Sequence, residues 1–501
     1  MEVIQNLAHG LMVAMYPSNL VACFIGVLIG TLVGILPGLG PAATLAMLLP
    51  MTFGMGATTS MIMLAGVFYG SKYGGAITSV LVNLPGESSS LMTCMDGYPM
   101  ARKGRAGPAL GMSAIASFFA GTVGVIGLML VAPPLADLAL NFGPPEYFAL
   151  MCLGLTLVTF LAGKSMVKAL IMGCVGLILS TVGSDTMSGS YRLWFGQPFL
   201  LGGVDFVVAA MGLFAVGEIL MTIEEEAAVE TIPSPKKLSE LLPSFHDIRE
   251  CWWTLVRSTL LGFLIGTVPG GNPTIATFLS YGATKAIAKD PEVFGSGTIR
   301  GVAASESADN AATSGGMVPL LTLGVPGTAS TAILLGALIM AGLQPGPLLM
   351  QQEPELFWAT IASMYIGNVL LLIMNLPLVP VFASLIRVPY FVLYPMILAI
   401  CSVGVYSLDN KVSDVGLMAV FGIIGYLMKK AEFPAAPLVL ALVLGGMIEK
   451  SLRQSLTLFE GDLTVFFQRP LCAVLLTLTV VMLLLPVVRG TRKRPAPVPQ
   501  Q

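Results

Sequence analysis

Two short segments combine a helix-breaking Pro-Gly pair with a run of hydroxyl-bearing residues. The first reads NLPGESSS from Asn83 to Ser90, and the second reads GVPGTAST from Gly324 to Thr331. Proline ends one helix and glycine lets the chain turn, which leaves free backbone amides and hydroxyls at the start of the next helix. Because such amides and the helix dipole attract anions, each segment is a candidate site for a carboxylate.

The same residues also have a purely structural interpretation. Ser and Thr can simply cap the half-helices, and glycine can permit close helix packing. Occurrence of the feature at two equivalent places favours a function. The predicted substrate-binding residues are Asn83, Pro85, Gly86, Glu87, Ser88, Ser89, Pro326, Gly327, Thr328 and Ser330.

Two further Pro-Gly segments interrupt apolar runs at matching places. Gly34 to Pro41 reads GILPGLGP, and Gly266 to Pro273 reads GTVPGGNP. Backbone carbonyls freed by such breaks can coordinate a small cation such as Na⁺, although a plain kink or a tight turn would give the same pattern. The predicted coupling-ion residues are Gly38, Gly40, Gly270, Asn272, Glu306 and Asn310.

Ionisable residues occur next to the segments 83–90 and 324–331, which we call the first and second hairpin segments. Glu306 and Asp309 precede the apolar run into the second segment, and Lys72 lies in the matching run of the first. Charged groups at membrane depth are costly and point to a pathway or a partner. Lys72 can pair with Glu87, with an acid of the second half or with an anionic substrate. At the membrane edge, Glu306 and Asp309 would instead be ordinary helix-start acids.

Composition places these segments in membrane helices. Of the 501 residues, 55% are hydrophobic and 10% are charged, which excludes a soluble globular protein. The apolar residues form runs of roughly 17–25, the length that crosses a bilayer as helix. The predicted fold is therefore an all-α polytopic membrane protein.

Several functional classes have no support in the sequence. A net charge of −2 without interleaved basic and aromatic residues argues against a nucleic-acid partner. The seven cysteines stand singly, and His9 and His246 are far apart, so neither a cofactor nor a resident metal is expected. No hydrolase or ATP-binding motif occurs, which predicts that the protein is not an enzyme.

The two halves of the chain resemble each other. Gly74-Gly75 precedes Pro85-Gly86 by eleven residues, just as Gly315-Gly316 precedes Pro326-Gly327. Such internal repeats are typical of secondary transporters. The predicted division is a first membrane half over 1–221, a cytoplasmic connector over 222–250, a second membrane half over 251–450, and a membrane helix with a basic cytoplasmic tail over 451–501.

Basic residues predict opposite orientations for the two halves. The loop with Arg102, Lys103 and Arg105 is basic whereas its counterpart at 342–347 is uncharged, and since Lys and Arg mark the cytoplasmic side the repeats should be inverted. The chain then passes two apolar runs between Gly56 outside and Arg102 inside. One run therefore cannot cross fully, which predicts a re-entrant hairpin at Pro85-Gly86 and a second at Pro326-Gly327.

The chain resembles the large membrane subunit of the bacterial tripartite tricarboxylate transporters over about residues 10–450. The resemblance rests on the Pro-Gly segments above, on YGSKYGG at 69–75, on DGYPMARKGRAG at 96–107, on Glu306 with Asn310, and on PLLTLGVPG at 319–327. It implies uptake of citrate-like carboxylates across the bacterial inner membrane, coupled to a sodium or proton gradient. It also implies two partners, a small four-helix membrane subunit and a periplasmic solute-binding protein. The family resembles the wider ion-transporter superfamily, whose inverted repeats and paired hairpins move substrate in an elevator-like way.

Two alternatives remain at this point. One is a stand-alone carrier without a binding protein, either for a carboxylate or as a cation/proton antiporter that uses Glu306 and Asp309. The other is a membrane scaffold in which the Gly/Pro motifs only pack helices. The identity of the carboxylate, the coupling ion, the oligomeric state and the hairpin that meets the substrate stay open.

Overall fold

The computed structural model describes residues 2–36, 40–161, 165–185, 187–224, 232, 238–385 and 390–490. Gly38, residues 225–231 and 233–237 of the predicted connector, and residues 491–501 of the basic tail lie outside these residues. The described chain is almost entirely helical, as its composition predicts. The helices of the first half are α1 Glu2–Ala14, α2 Pro17–Ile35, α3 Pro41–Leu48, α4 Ala57–Val82, α5 Leu91–Met100, α6 Ala106–Ala139, α7 Pro144–Leu161, α8 Met166–Ser180, α9 Phe206–Ala210 and α10 Gly217–Glu224.

The remaining chain continues in the same way. Its helices are α11 Leu238–Leu241, α12 Phe245–Thr267, α13 Pro273–Ile287, α14 Ile299–Leu323, α15 Ala329–Met340, α16 Pro347–Gln352, α17 Pro354–Asn375, α18 Val379–Leu385, α19 Tyr390–Asp409, α20 Val412–Lys430, α21 Ala435–Leu458, α22 Val465–Gln468 and α23 Pro470–Gly490. Two short antiparallel strands, β1 Gly183–Ser184 and β2 Tyr191–Arg192, interrupt the helices between α8 and α9.

Six helical segments among the described residues are both long enough and apolar enough to span a membrane. They are Pro17–Ile35, Ser88–Ala139, Phe206–Glu224, Pro354–Asn375, Val412–Lys430 and Ala435–Leu458. The chain is therefore a multi-pass membrane protein. The N-terminal apolar stretch is divided between α1 and α2, since α1 ends at Ala14 and α2 begins at Pro17.

Helix α14 begins earlier than its hydropathy predicts. It starts at Ile299, so Glu306 and Asp309 lie in its middle, each only 1% exposed. The interpretation of these acids as helix-start residues at the membrane edge is wrong. Small residues such as Ser, Ala and Gly fill this part of α14, and they lower the hydropathy of a helix that is buried inside the protein.

Glycine packing is the same in the two halves. A methyl group on Gly34 of α2 would overlap the carbonyl oxygen of Ser71 in α4, and one on Gly266 of α12 would overlap that of Ala312 in α14. The matched pairs Gly30 with Val67 and Gly262 with Ala308 show the same overlap one turn earlier. Each half thus builds one tight helix pair, α2 with α4 and α12 with α14, in the same register.

The two hairpin segments also have the same backbone. Asn83 ends α4 at φ 60° and ψ 25°, and Gly324 ends α14 at φ 68° and ψ 25°. Four residues later, Glu87 and Thr328 are both extended, with φ −148° and −141°. The predicted helix breaks are therefore present. Their re-entrant course in a bilayer stays a prediction.

A buried carboxylate joins the first half to the second. Asp96 in α5 is 0% exposed and accepts hydrogen bonds of 2.8–2.9 Å from the backbone amides of Gly295, Gly297 and Thr298 and from the hydroxyl of Tyr281. Four donors satisfy both of its oxygens. Asp96, the first residue of the DGYPM stretch, thus binds the loop that leads into α14.

The strand pair and the C-terminal helix are held by ion pairs. Arg453 of α21 donates to both oxygens of Asp185, and Arg192 of β2 donates to both oxygens of Glu449. Hydrogen bonds from the Ser188 hydroxyl, a backbone amide and Arg453 lower the pKa of Asp185. Glu146 in the first turn of α7 accepts from the amide of Gly143 and pairs with Arg469 before α23.

Candidate functional site, a cavity between helix N-termini

A cavity of about 490 Å³ lies where the two hairpin segments and the two other Pro-Gly segments meet. Residues from both halves line it. The lining consists of Gly40, Pro41, Ala42, Phe68, Lys72, Pro85, Gly86, Glu87, Ser88, Ser89, Val158, Glu218, Gly270, Asn272, Pro273, Thr274, Gly327, Thr328, Ala329, Ser330 and Ala436.

Four helical segments start at this cavity. Helix α3 begins at Pro41, α13 at Pro273 and α15 at Ala329, and the 3-10 turn at Ser88 leads into α5. The first-turn amides of a helix have no partner within the helix, and the helix dipole adds a partial positive charge there. Four such ends at one cavity create a region that attracts anions.

The first hairpin segment is tied to α4 and α14 by buried charges. The ammonium of Lys72 lies 2.8 Å from Glu87 Oε2 and 3.3 Å from Asp309 Oδ1. The hydroxyl of Ser89 accepts from Lys72 at 3.3 Å and donates to Asp309 Oδ2 at 3.0 Å. We call Lys72, Glu87 and Asp309 the ion triad. The two partners expected for Lys72 among protein groups, Glu87 and an acid of the second half, are both present.

A second bond joins the same hairpin to the other half. The hydroxyl of Ser88 lies 2.9 Å from that of Thr274 in the first turn of α13. The amide of Thr274 in turn donates to the side-chain oxygen of Asn272, which caps α13. The tip of the first hairpin therefore rests on the start of α13.

The second hairpin segment is neutral and caps itself. Thr328 and Thr331 form a reciprocal capping box, in which each side-chain oxygen accepts from the other residue's amide, at 3.2 and 2.8 Å. The structural interpretation of these hydroxyls is thus correct for Thr328, although this residue also lines the cavity. The box fixes the first turn of α15 without help from the first half.

Glu306 and Asn310 belong to a separate buried cluster. Glu306 accepts from Thr93 at 2.5 Å and from Ser117 at 3.1 Å, and the amide of Asn310 donates to Ser117 at 2.8 Å. A carboxylate among hydroxyl and amide oxygens can hold a small cation or a proton. Among the described residues, no group of three or more His, Cys, Asp or Glu has the arrangement of a metal site.

The predicted substrate residues mostly come together. Eight of the ten line the cavity, whereas Asn83 and Pro326 do not; Asn83 serves instead as the left-handed end of α4. Within the predicted coupling-ion set, Gly40, Gly270 and Asn272 line this same cavity, while Glu306 and Asn310 lie in the separate cluster.

The Pro-Gly segments supply amides rather than free carbonyls at two of these positions. The carbonyl of Gly40 accepts from the amide of Thr44, and that of Asn272 accepts from the amide of Ala276. Both carbonyls thus belong to the first turns of α3 and α13. The function of these residues as cation ligands stays a prediction, which these bonds do not favour.

Sequence reasoning left several lining residues unassigned. Phe68, Val158, Glu218, Thr274 and Ala436 come from five different helices. No spacing in the sequence connects them. Glu218 pairs with Lys429 of α20, a contact between distant segments that only the fold brings together.

The fold defines a helical multi-pass membrane protein, and this cavity is lined by helix starts from both of its halves. The family described as "Tripartite tricarboxylate transporter TctA family" matches residues 20–440, and the chain belongs to it. The resemblance seen in the sequence motifs is thereby confirmed.

Two relatives come from Agrobacterium vitis. An "uncharacterized 52.8 kDa protein in TAR-I ttuC' 3'region" is 47% identical over 497 residues, which cover 99% of each chain. A second protein, from the TAR-II ttuC' 3' region, is 44% identical over 234 residues, which cover 46% of this chain and 97% of the relative. No solved structure matches the chain significantly.

Proposed function

We propose that the chain is the large transmembrane subunit of a binding-protein-dependent secondary transporter for citrate-like tricarboxylates or related carboxylates. The observation that carries this proposal is the meeting of four helix N-termini and Lys72 at one cavity. Backbone amides and a single ammonium match several carboxylates without filling the membrane interior with basic side chains. The volume of about 490 Å³ falls within the ~300–1,000 Å³ common for small-ligand sites.

The family description supports the partner proteins. A tripartite system needs two further components, which we propose to be a small four-helix membrane subunit and a periplasmic solute-binding protein. The complex would lie in the bacterial inner membrane. The binding protein would deliver the carboxylate to this chain.

Transport would proceed through two inverted repeats with an elevator-like motion. The identical glycine register of the α2–α4 and α12–α14 pairs supports a repeated unit. The basic loop at Arg102 to Arg105, which has no charged counterpart near 342–347, supports opposite orientations of the two units. Each helix pair would move as one body because its backbones are in contact.

A sodium or proton gradient would drive uptake. The buried cluster of Glu306, Asn310, Ser117 and Thr93 offers oxygen ligands away from the cavity lining, which suits a coupling ion. We retain Glu306 and Asn310 as candidates for that ion. Gly40, Gly270 and Asn272 are better placed to contact the anion, since they lie at helix starts on the cavity.

A stand-alone cation/proton antiporter is the second candidate. The burial of Glu306 and Asp309 in one helix, three positions apart, favours it, because buried acids can carry protons or Na⁺. This function needs no binding protein. Sodium-driven proton flux in vesicles that contain this chain alone would support it over carboxylate symport.

Uptake of labelled citrate tests the main proposal. Vesicles would carry this chain with its small subunit, with and without the binding protein, under an imposed sodium or proton gradient. We expect uptake only when both the gradient and the binding protein are present. If citrate and a panel of other di- and tricarboxylates all fail with folded protein, the proposal is wrong.

A further inference from the structure

The ion triad contains one more negative than positive charge when all three groups are ionised. Lys72, Glu87 and Asp309 have side chains that are 3%, 8% and 2% exposed, so water screens this imbalance poorly. Two carboxylates share a single ammonium. A buried, unbalanced charge is costly, so the arrangement favours the binding of a further cation or of a proton on one carboxyl.

Glu87 also has an unused acceptor. Its Oε2 atom receives the bond from Lys72, but Oε1 is buried and has no hydrogen-bond partner among the described residues. The same is true of the neighbouring Ser90 hydroxyl oxygen. Buried polar atoms normally have a hydrogen-bond partner. The carboxylate oxygen Oε1 of Glu87 has none among the described residues, so a proton or a small cation would bind there.

The triad reaches the cavity on one side only. Lys72, Glu87 and Ser89 line the cavity, whereas Asp309 lies behind them and is not part of the lining. An anion that enters the cavity therefore meets the ammonium of Lys72 from the side of Glu87. It competes with Glu87 for Lys72 and leaves in place the hydrogen bond that the Ser89 hydroxyl donates to Asp309.

We propose that Lys72, Glu87 and Asp309 form the site that couples substrate to cation: a substrate carboxylate takes the ammonium of Lys72 from Glu87, and the released Glu87 carboxylate takes up one monovalent cation, a proton or Na⁺. No covalent bond between heavy atoms changes. The substrate adds one negative charge and the cation one positive charge, so the buried site keeps its charge. Each ligand thereby raises the affinity for the other, as reciprocal coupling requires.

This proposal rests on the proposed carboxylate symport and assigns its coupling residues. It is tested with Glu87→Gln, which keeps the shape of the side chain but holds it in the uncharged state. Two assays use vesicles with the small subunit and the binding protein. The first measures accumulation of labelled citrate under a sodium gradient or under a proton gradient, and the second measures exchange of labelled for unlabelled citrate without any gradient.

We expect Glu87→Gln to lower gradient-driven accumulation by about tenfold or more and to lower exchange much less than accumulation. Loss of the proton-driven arm identifies a proton as the cation, and loss of the sodium-driven arm identifies Na⁺. Glu146→Gln is the matched control, because Glu146 is a buried, ion-paired carboxylate outside the cavity lining. It should leave both assays unchanged.

Two results would overturn the coupling site. One is wild-type accumulation by Glu87→Gln, and the other is equal loss of accumulation and exchange, which would make Glu87 a plain binding or structural residue. If Glu87→Gln does not fold, Asp309→Asn decides by the same two assays. Absence of both activities from the wild-type protein with every carboxylate tried would instead refute the proposed function.

Discussion

The two hairpin segments have the same backbone but opposite chemistry. Both begin with a left-handed residue, and both reach an extended residue four positions later. The first then carries Glu87, bound to Lys72 and, through Ser89, connected to Asp309. The second carries Thr328, which caps its own helix through Thr331. The shared backbone supplies anion-binding amides twice, whereas the charged side chains occur once.

This difference assigns different tasks to the two halves. The first hairpin is held by contacts with α13 and α14 of the other half, namely Ser88 with Thr274 and Ser89 with Asp309. Its position therefore depends on the charge state of the triad. The second hairpin needs no such contact to form its first turn. Under the proposed function, the first hairpin would respond to an anion in the cavity, whereas the second would keep its conformation.

Removal of the triad's single cation should have the largest effect. Lys72→Met leaves Glu87 and Asp309 buried without a cation, which costs about 3–5 kcal/mol of stability, and it removes the ammonium offered to the substrate. We expect citrate uptake in vesicles to be abolished. Thr313→Val changes the equivalent position of α14, where the hydroxyl bonds only within its helix in the contacts described, and it should keep most uptake. Equal loss of citrate uptake in Lys72→Met and Thr313→Val would contradict the difference between the two halves.

Matched substitutions of Gly34 and Gly266 test whether the α2–α4 and α12–α14 helix pairs are equivalent. Gly34→Ala and Gly266→Ala each force a methyl group against a backbone carbonyl of the facing helix. Overpacking of this kind costs about 1–3 kcal/mol. We expect both variants to lower the unfolding temperature in detergent by similar amounts. A large drop in only one of them would show that the two helix pairs are not equivalent in solution.

Ser89 and Ser330 allow the hairpins to be compared at the level of one hydroxyl. Ser89 bridges two charged groups, and hydrogen bonds to charged groups contribute about 1.5–3 kcal/mol, so Ser89→Ala should lower uptake by about tenfold. Ser330→Ala removes a hydroxyl from the neutral hairpin and should lower uptake less. Initial rates of labelled citrate uptake decide the order. A larger loss in Ser330→Ala would assign the main substrate contact to the second hairpin.

The smallest effect is expected from the self-contained cap. Thr328→Ala removes the side-chain oxygen that accepts from the amide of Thr331, and loss of such a cap costs about 0.5–2 kcal/mol. The unfolding temperature should fall slightly, while cation coupling stays as in the wild type. Thr328→Ser keeps the hydroxyl and serves as the control. A change of coupling ratio in Thr328→Ala would contradict the passive role of this hairpin.

Local patterns in the sequence predicted most of the cavity's lining. Pro-Gly pairs followed by hydroxyls specify helix starts wherever they occur, and eight of the ten substrate residues lie on the cavity for this reason. The family was recognisable from the same motifs. Asn83 precedes the first Pro-Gly pair and ends α4 in a left-handed conformation, away from the cavity lining. Pro326 belongs to the second pair but, unlike its counterpart Pro85, does not line the cavity.

The remaining features depend on contacts between distant parts of the chain. Lys72 had three candidate partners because its charge is complementary to all of them, and only the packing of α14 against the first hairpin brings Asp309 within reach. The sequence left open whether Glu306 lies at the membrane edge or in the protein interior. Hydropathy predicts which helices face lipid, whereas the part of α14 that carries Glu306 is covered by protein. The meeting of four helix starts is likewise a property of the fold.

Asp96 sets an order of events during synthesis of the chain. Its carboxylate leaves the ribosome 199 residues before Gly295, the first of the backbone amides that satisfy it. At about 5–20 residues per second, the wait is roughly 10–40 s. During this interval the acid has none of the backbone amides that later bury it, and the hydroxyl of Tyr281 is made only 14 residues before Gly295, so the helix that carries Asp96 cannot adopt its final position. Assembly of the first half is therefore completed only after the loop before α14 has been made, and ribosome-stalled chains that end before that loop should remain accessible to proteases at α5.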